Sequence, residues 1–136
     1  MSNGKLVRVG DIMKGEFIEL DGVMTIKDAI GAMQAENASV LIVKKRHEHD
    51  EYGIVQLSDI AKRVLAKDRS PERVNVYEIM TKPALSVSAD MNVKYCARLF
   101  ERFGVSRAPV IQEGKIIGMV SYNNIVINGM AKDDVK

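Results

Sequence analysis

Two segments of the chain place polar side chains where a strand is expected to pass into a helix. Gln56 is followed three residues later by Asp59, and Ser121 is followed three residues later by Asn124. Each pair combines side chains that donate or accept hydrogen bonds: an amide with a carboxylate in the first, and a hydroxyl with an amide in the second. The free backbone amides of a helix start also favour an anion. The spacing therefore indicates two polar half-sites, each at the start of a helix.

Length and composition fit a compact protein of ordinary charge. The chain has 136 residues, 46% of them hydrophobic and 28% charged, which is not the composition of a disordered protein. The net charge of +2 disfavours a dedicated nucleic-acid binder. The single cysteine, Cys96, excludes an internal disulfide and favours a reducing compartment. The first ten residues lack a signal-peptide pattern and no apolar run is long enough for a bilayer, so we expect a cytoplasmic protein without direct membrane insertion.

The sequence contains an internal repeat. Val9–Met13 returns as Val76–Met80, an offset of 67, and Gly53–Val55 returns as Gly118–Val120 after the register has changed by two residues. This two-residue difference falls between two strand-like runs, where a slightly longer hairpin loop adds little to the entropy cost of folding. Because one copy alone is marginal for a stable core, we expect the copies to pair with pseudo-twofold symmetry and to leave clefts between them. The predicted division of the chain is a first copy at 1–66, a linker at 67–75 and a second copy at 76–136.

Hydrophobic periodicity gives both copies the order strand, helix, strand, strand, helix, which predicts an α+β fold of two β-α-β-β-α units. Thr25 is the expected N-cap of the first long helix, and Asn92 is that of its counterpart. The apolar stripe of the first long helix comprises Ile26, Ala29, Ile30 and Met33. The remaining predicted elements are strands at Phe17–Leu20, Val40–Val43, Gly53–Gln56, Ala84–Val87, Ala108–Ile111 and Ile116–Ser121, and closing helices that begin near Ser58 and near Asn123, the latter ending around Gly129.

These repeated segments resemble a known family. Gly53–Ile60 and Gly118–Ile125 resemble the signature of cystathionine-β-synthase (CBS) domains, which is a glycine, two hydrophobic residues, Thr or Ser, two variable residues and Asp. The segments Asp11–Met13, Glu78–Pro83 and Gly104–Val110 resemble further parts of the family pattern. The resemblance covers nearly the whole chain, and it identifies a stand-alone protein made of a tandem CBS pair, also called a Bateman module.

The resemblance implies a regulatory function. Such modules commonly bind adenosyl ligands (AMP, ADP, ATP, NAD or S-adenosylmethionine) in the clefts between repeats, tend to dimerise, and usually regulate an enzyme, channel or transporter. We therefore expect a homodimeric sensor of an adenine nucleotide, with AMP or ATP as the regulatory ligand and no required cofactor, which acts on a separate enzyme, transporter or signalling protein. The alternative is a dimeric interaction scaffold with degenerate, empty clefts. An enzyme is not expected, because no nucleophile or acid–base set is present.

Both half-sites depart from the family pattern. Gln56 replaces the Thr or Ser of the first copy, and Asn124 replaces the Asp of the second. Because no bulk is added beside Ser121, we expect Ser121 and Asn124 to serve the better cleft, with Asp59 as the best single ribose ligand.

The resemblance also implies two candidate phosphate ligands: Arg107, in a stretch that lines the cleft in the family, and Lys82, beside Pro83. For Arg107 a solvated surface arginine is the alternative. The resemblance further suggests Gly118 for close backbone approach, and Ile18 and Leu85 for contact with the adenine, where core packing is the alternative.

Two other features have simpler interpretations. His47 and His49 form a His-x-His pair that could bind a metal, but they lie in the charged stretch Lys44–Glu51, which is typical of an exposed hairpin tip. We therefore expect no metal site. Cys96 falls on an apolar helix face and is expected to be a small buried hydrophobe rather than a nucleophile.

Overall fold

A computed structural model describes residues 6–130; the outer ends of the two predicted copies, 1–5 and 131–136, lie outside the described residues. The chain forms two compact units, one of Phe17–Ala84 and one of residues 6–16 together with 85–130. In chain order the elements are α1 (Val9–Ile12), β1 (Glu19–Leu20), α2 (Ile26–Glu36), β2 (Val40–Val43), β3 (Gly53–Gln56), α3 (Leu57–Ile60) continued by a π-helical segment (Ala61–Leu65), α4 (Val76–Ile79), β4 (Val87–Ser88), α5 (Val93–Phe103), β5 (Arg107–Gln112), β6 (Lys115–Ser121) and a second π-helical segment (Asn124–Met130).

The two units contain the same kind of sheet. β1 pairs in parallel with β2, which pairs antiparallel with β3, so that Leu20 lies beside Val43 and Val40 beside Gln56. β4, β5 and β6 repeat this order and these directions. The predicted α+β fold with strand, helix, strand, strand, helix order in each copy is therefore confirmed.

Local signals fix the two long helices as predicted. The Thr25 hydroxyl accepts a hydrogen bond from the Asp28 amide at 3.2 Å, and the Asn92 side chain accepts one from the Lys94 amide at 2.8 Å. Each helix is followed by a residue with a left-handed backbone conformation, Asn37 after α2 and Gly104 after α5. This conformation ends the series of helical hydrogen bonds.

The apolar stripe of α2 is narrower than predicted. Ile26, Ala29 and Met33 are buried, but Ile30 is 38% exposed. At 100° per residue, Ile30 lies about 40° beyond Ile26, on the side away from Ala29 and Met33, and so falls at the edge of the covered face.

Each unit has its own core. The core of the Phe17–Ala84 unit joins residues of α2, β2, β3 and α4, together with Ile60, Val64 and Val74. The other core joins residues of α1, β4, α5, β5 and β6, together with Ile125. Cys96 is fully buried in the second core, which confirms it as a small hydrophobe, and burial raises the pKa of its thiol to about 11.

The opening segments pack in a way that the repeat does not reveal. Lys14 and Met119 exchange two backbone hydrogen bonds, at 2.9 and 2.8 Å, and Ile54 and Thr81 exchange two at 3.0 Å. As a result α1 belongs to the unit that contains β6, and α4 belongs to the unit that contains β3. The compact units therefore divide the chain differently from the sequence copies.

The segment 67–75, predicted as a linker, forms turns without a regular helix or strand. It is nevertheless packed, because Val74 lies in the core of the Phe17–Ala84 unit. Arg69 of this segment also forms an ion pair with Glu78 of α4, at 2.8 Å.

Further elements differ from their predictions. The first strand, predicted at Phe17–Leu20, forms only at Glu19–Leu20. The strand predicted at Ala84–Val87 forms at Val87–Ser88, because the Ala84 amide donates instead to the Tyr52 carbonyl at 2.9 Å. The closing helix predicted to end around Gly129 is described as far as Met130, and the residues that follow lie outside the described part of the chain.

Candidate ligand-binding site

Ser121 and Asn124 contact one another at the end of β6. The Ser121 amide donates to Asn124 Oδ1 at 3.0 Å, and the Ser121 hydroxyl donates to the same oxygen at 3.1 Å. In return the Asn124 amide donates to the Ser121 hydroxyl oxygen at 3.3 Å. Asn124 is only 7% exposed, and these bonds satisfy its side-chain oxygen inside the protein. The two predicted residues are thus brought together and stabilise the start of the closing helix.

Arg107 lies beside this pair. It is the first residue of β5 and is the direct antiparallel partner of Ser121. Directly opposed residues of an antiparallel pair project from the same sheet face, with Cβ atoms about 5 Å apart. The structure therefore places a guanidinium-bearing residue, a hydroxyl and a carboxamide at one corner of the sheet.

Gly118 lies against the backbone of the chain's own opening segment. A Cβ atom on Gly118 would lie 2.6 Å from the Lys14 carbonyl oxygen and 3.0 Å from the Met13 sulfur. The absence of a side chain thus admits the chain's own opening segment, which pairs with the adjacent Met119. The close backbone approach expected here is made by Lys14.

The first copy repeats only part of this arrangement. The Gln56 amide donates to Asp59 Oδ2 at 2.8 Å, as the Ser121 amide does to Asn124. Asp59 is half-buried, and among the described residues nothing donates a hydrogen bond to its Oδ1. A carboxylate has two acceptor oxygens, so Asp59 keeps one that can receive a ligand hydroxyl.

The two residues predicted to contact an adenine, Ile18 and Leu85, are both half-buried apolar side chains. Ile18 is half-buried, packs against the core of the Phe17–Ala84 unit, and accepts the Ile42 amide at its carbonyl at 2.8 Å. Leu85 is half-buried and lies outside any regular strand. For Ile18 the core-packing alternative therefore describes its side chain.

Lys82 has a partner that the sequence did not indicate. Its ammonium lies 2.7 Å from Asp50 Oδ1, while Asp50 Oδ2 accepts the Arg46 amide at 2.8 Å. The Asp50 side chain is 8% exposed. The hydrogen bond from Lys82, followed by that from the Arg46 amide, holds the pKa of Asp50 well below its usual range. Asp50 stays ionised and fixes Lys82 in place.

The neighbouring histidines are solvent-facing. His47 and His49 are both exposed, as expected for a charged hairpin tip. Within residues 6–130, no group of three or more His, Cys, Asp or Glu side chains is arranged to hold a metal ion. In the same part of the chain no helix is long and apolar enough to cross a membrane.

Comparison with known proteins identifies the family. The sequence profile of the CBS domain matches residues 76–128. The solved structure of a hexameric CBS-CP12 protein from bloom-forming cyanobacteria is 35% identical, with a TM-score of 0.91, and the match covers 98% of this chain and 78% of that one. The chain belongs to the CBS-domain family. Its two sheets of identical topology make it a tandem CBS pair.

Two further relatives extend the comparison. The CBS domain pair of protein MJ0100, solved in complex with 5′-methylthioadenosine and S-adenosyl-L-methionine, is 25% identical with a TM-score of 0.79, over 94% of this chain and 99% of that one. The mitochondrial CBS domain-containing protein CBSX3 of Arabidopsis thaliana is 27% identical over 87% of this chain and 62% of its own length. This CBS pair spans about three fifths of the length of the curated relatives that it matches first.

Proposed function

We propose that this CBS pair is a regulatory module that binds an adenosyl ligand and transmits its occupancy to a separate partner protein. The observation that carries the proposal is the corner formed by Arg107, Ser121 and Asn124, where a cation and two polar side chains gather at the start of the closing helix. The similarity to a CBS pair solved with two adenosyl compounds supports this ligand class. A ligand shifts such a module only by its differential affinity for two conformations.

The hydrogen-bonding capacity of the corner suits a ribose. The Ser121 hydroxyl uses its proton and one lone pair on Asn124, which leaves one lone pair to accept a ribose hydroxyl. Asn124 Oδ1 has both lone pairs occupied, but its side-chain nitrogen retains donors for a ribose oxygen. In the proposed complex Arg107 pairs with the phosphate. AMP or ATP is therefore the preferred ligand at this corner.

The first copy is proposed to take a ligand of different charge. Val40, the counterpart of Arg107 at the offset of 67, is the antiparallel partner of Gln56. A phosphate has no cation to pair with at that position, whereas Asp59 offers an acceptor with a negative charge. We expect this half-site to prefer an uncharged or cationic adenosyl compound, such as 5′-methylthioadenosine or S-adenosylmethionine.

Calorimetric titration of charge variants tests both assignments. Arg107→Gln should weaken AMP binding about tenfold or more, because hydrogen bonds to charged groups contribute about 1.5–3 kcal/mol. The uncharged 5′-methylthioadenosine should bind this variant as it binds the wild type. Lys115→Gln is the matched control, since it removes an equally charged, exposed residue of the same sheet. Equal AMP affinity of Arg107→Gln and wild type would contradict the phosphate role of Arg107.

The second candidate function is a dimeric interaction scaffold with empty clefts. One observation favours it: Ser121 and Asn124 already satisfy one another, and Asn124 is buried. On this alternative the pair serves only as a helix cap. Absence of binding by AMP, ATP, NAD, 5′-methylthioadenosine and S-adenosylmethionine at millimolar concentration would establish the scaffold over the sensor.

The cellular setting belongs to the same proposal. We propose a cytoplasmic homodimer that regulates an enzyme, transporter or signalling protein without catalysing a reaction itself. Size-exclusion chromatography with light scattering tests the dimer, and a monomer at micromolar concentration would refute it.

A further inference from the structure

The Phe17–Ala84 unit contains a cleft of about 250 Å³. It lies at the end of the sheet where Val43 pairs with Gly53, whereas Gln56 pairs with Val40 at the other end. The two ends are three residue steps apart along the strand, which is about 10 Å. The residues that line the cleft are Asp21, Gly22, Val23, Val43, Lys44, Arg46, Tyr77, Met80 and Lys82. The cleft is therefore distinct from the Gln56–Asp59 half-site.

The body of the cleft is apolar and includes an aromatic ring. Val43 and Met80 belong to the core region, while Val23 is 69% exposed and Tyr77 is 53% exposed at the rim. A Cβ atom on Gly22 would lie 3.2 Å from a Val43 methyl carbon and 3.4 Å from the Tyr77 Cβ, so the glycine lets the turn lie close to both. An open tyrosine ring beside aliphatic side chains favours a flat, apolar ligand body.

The charges at the edge favour an anion. The lining residues of the cleft include three cations, Lys44, Arg46 and Lys82, and one acid, Asp21. Asp50 pairs with Lys82 at 2.7 Å and with Arg46 at 3.4 Å, and so neutralises one of these two positive charges. The three cations together with Asp21 and Asp50 give this region a net charge of +1.

We propose that this cleft binds a small aromatic anion. The ring lies against Tyr77 and Met80, and the anionic group lies toward Lys82 and Arg46. A cavity of about 150 Å³ can hold benzene, so a cleft of about 250 Å³ fits one aromatic ring with one phosphate, sulfate or carboxylate group. This site is independent of the adenosyl function proposed above, because the Arg107–Ser121 corner belongs to the other sheet and the Gln56–Asp59 half-site lies at the opposite end of this one.

The test is a titration of ¹⁵N-labelled protein with phenyl phosphate, followed by amide chemical shifts. Saturable shifts are expected at Gly22, Val23 and Tyr77, and neither inorganic phosphate nor phenol alone should match the affinity. Shifts centred on Ser121 and Asn124 instead, or equal binding of inorganic phosphate, would overturn the proposal.

A pair of charge variants locates the site. Val23→Glu places a negative charge at the exposed rim and should weaken phenyl phosphate binding about tenfold. Gln34→Glu adds the same charge at an exposed position of α2 and should leave binding unchanged. Unchanged affinity in Val23→Glu would refute the site, while AMP titration of the same variant reports separately on the adenosyl function.

Discussion

Gly118→Ala tests how the opening segment is held against β6. The added Cβ would lie 2.6 Å from the Lys14 carbonyl oxygen, a distance that forces the backbone apart. The two hydrogen bonds between Lys14 and Met119 would be lost or lengthened, and each contributes about 1 kcal/mol. Replacement of a strand glycine recovers about 0.5–1 kcal/mol of conformational entropy. The expected net loss in the free energy of unfolding is about 1–1.5 kcal/mol.

Urea denaturation followed by circular dichroism measures this loss. Gly31→Ala is the matched control: nothing lies within 4 Å of its added Cβ, and Gly31 is inside helix α2. This variant should raise the free energy of unfolding by about 0.5–1 kcal/mol, because alanine is the better helix former. The two Gly-to-Ala changes thus have opposite predicted signs. A Gly118→Ala protein as stable as the wild type would refute the reasoning.

Two further predictions concern titratable groups. Because the folded-state pKa of Asp50 is depressed, its ionised form stabilises the protein above the unfolded pKa of about 3.9, and this contribution is lost as the pH falls below that value. Asp50→Asn should therefore lower the melting temperature at pH 7 and reduce its fall between pH 7 and pH 3; an unchanged acid profile, compared with an exposed Glu36→Gln control, would contradict the Lys82 contact. Cys96, with its pKa raised to about 11, should resist alkylation by iodoacetamide at pH 8 in the native state and react once urea unfolds the chain. Rapid labelling of the native protein would show that the thiol is not buried.

Local features of the fold could be predicted from the sequence. β2 and β3 have the predicted bounds, because continuous apolar runs flanked by polar residues mark buried strands. Thr25 and Asn92 cap their helices as expected, since a cap depends on residues only two or three positions away. The repeat itself predicted two sheets of equal topology.

Features that depend on distant residues could not be predicted. The pairing of Lys14 with Met119 and of Thr81 with Ile54 joins segments that hydrophobic periodicity treats separately. The Asp50 side chain is largely covered and contacts Lys82, which is 32 positions away in the sequence. The charged residues next to Asp50 in the sequence do not indicate this contact. At the candidate site, the spacing of Ser121 and Asn124 predicted that they would lie together. Their mutual hydrogen bonds were not foreseen, because the spacing does not specify the side-chain rotamers that bring Asn124 Oδ1 onto the Ser121 amide and hydroxyl.

The most direct test of the central claim is a crystal structure of the protein with AMP at saturating concentration. The account predicts electron density with the phosphate on the Arg107 guanidinium and the ribose hydroxyls on Ser121 and the Asn124 side-chain nitrogen. Nucleotide density elsewhere, or a corner that stays free of AMP in such crystals, would contradict it.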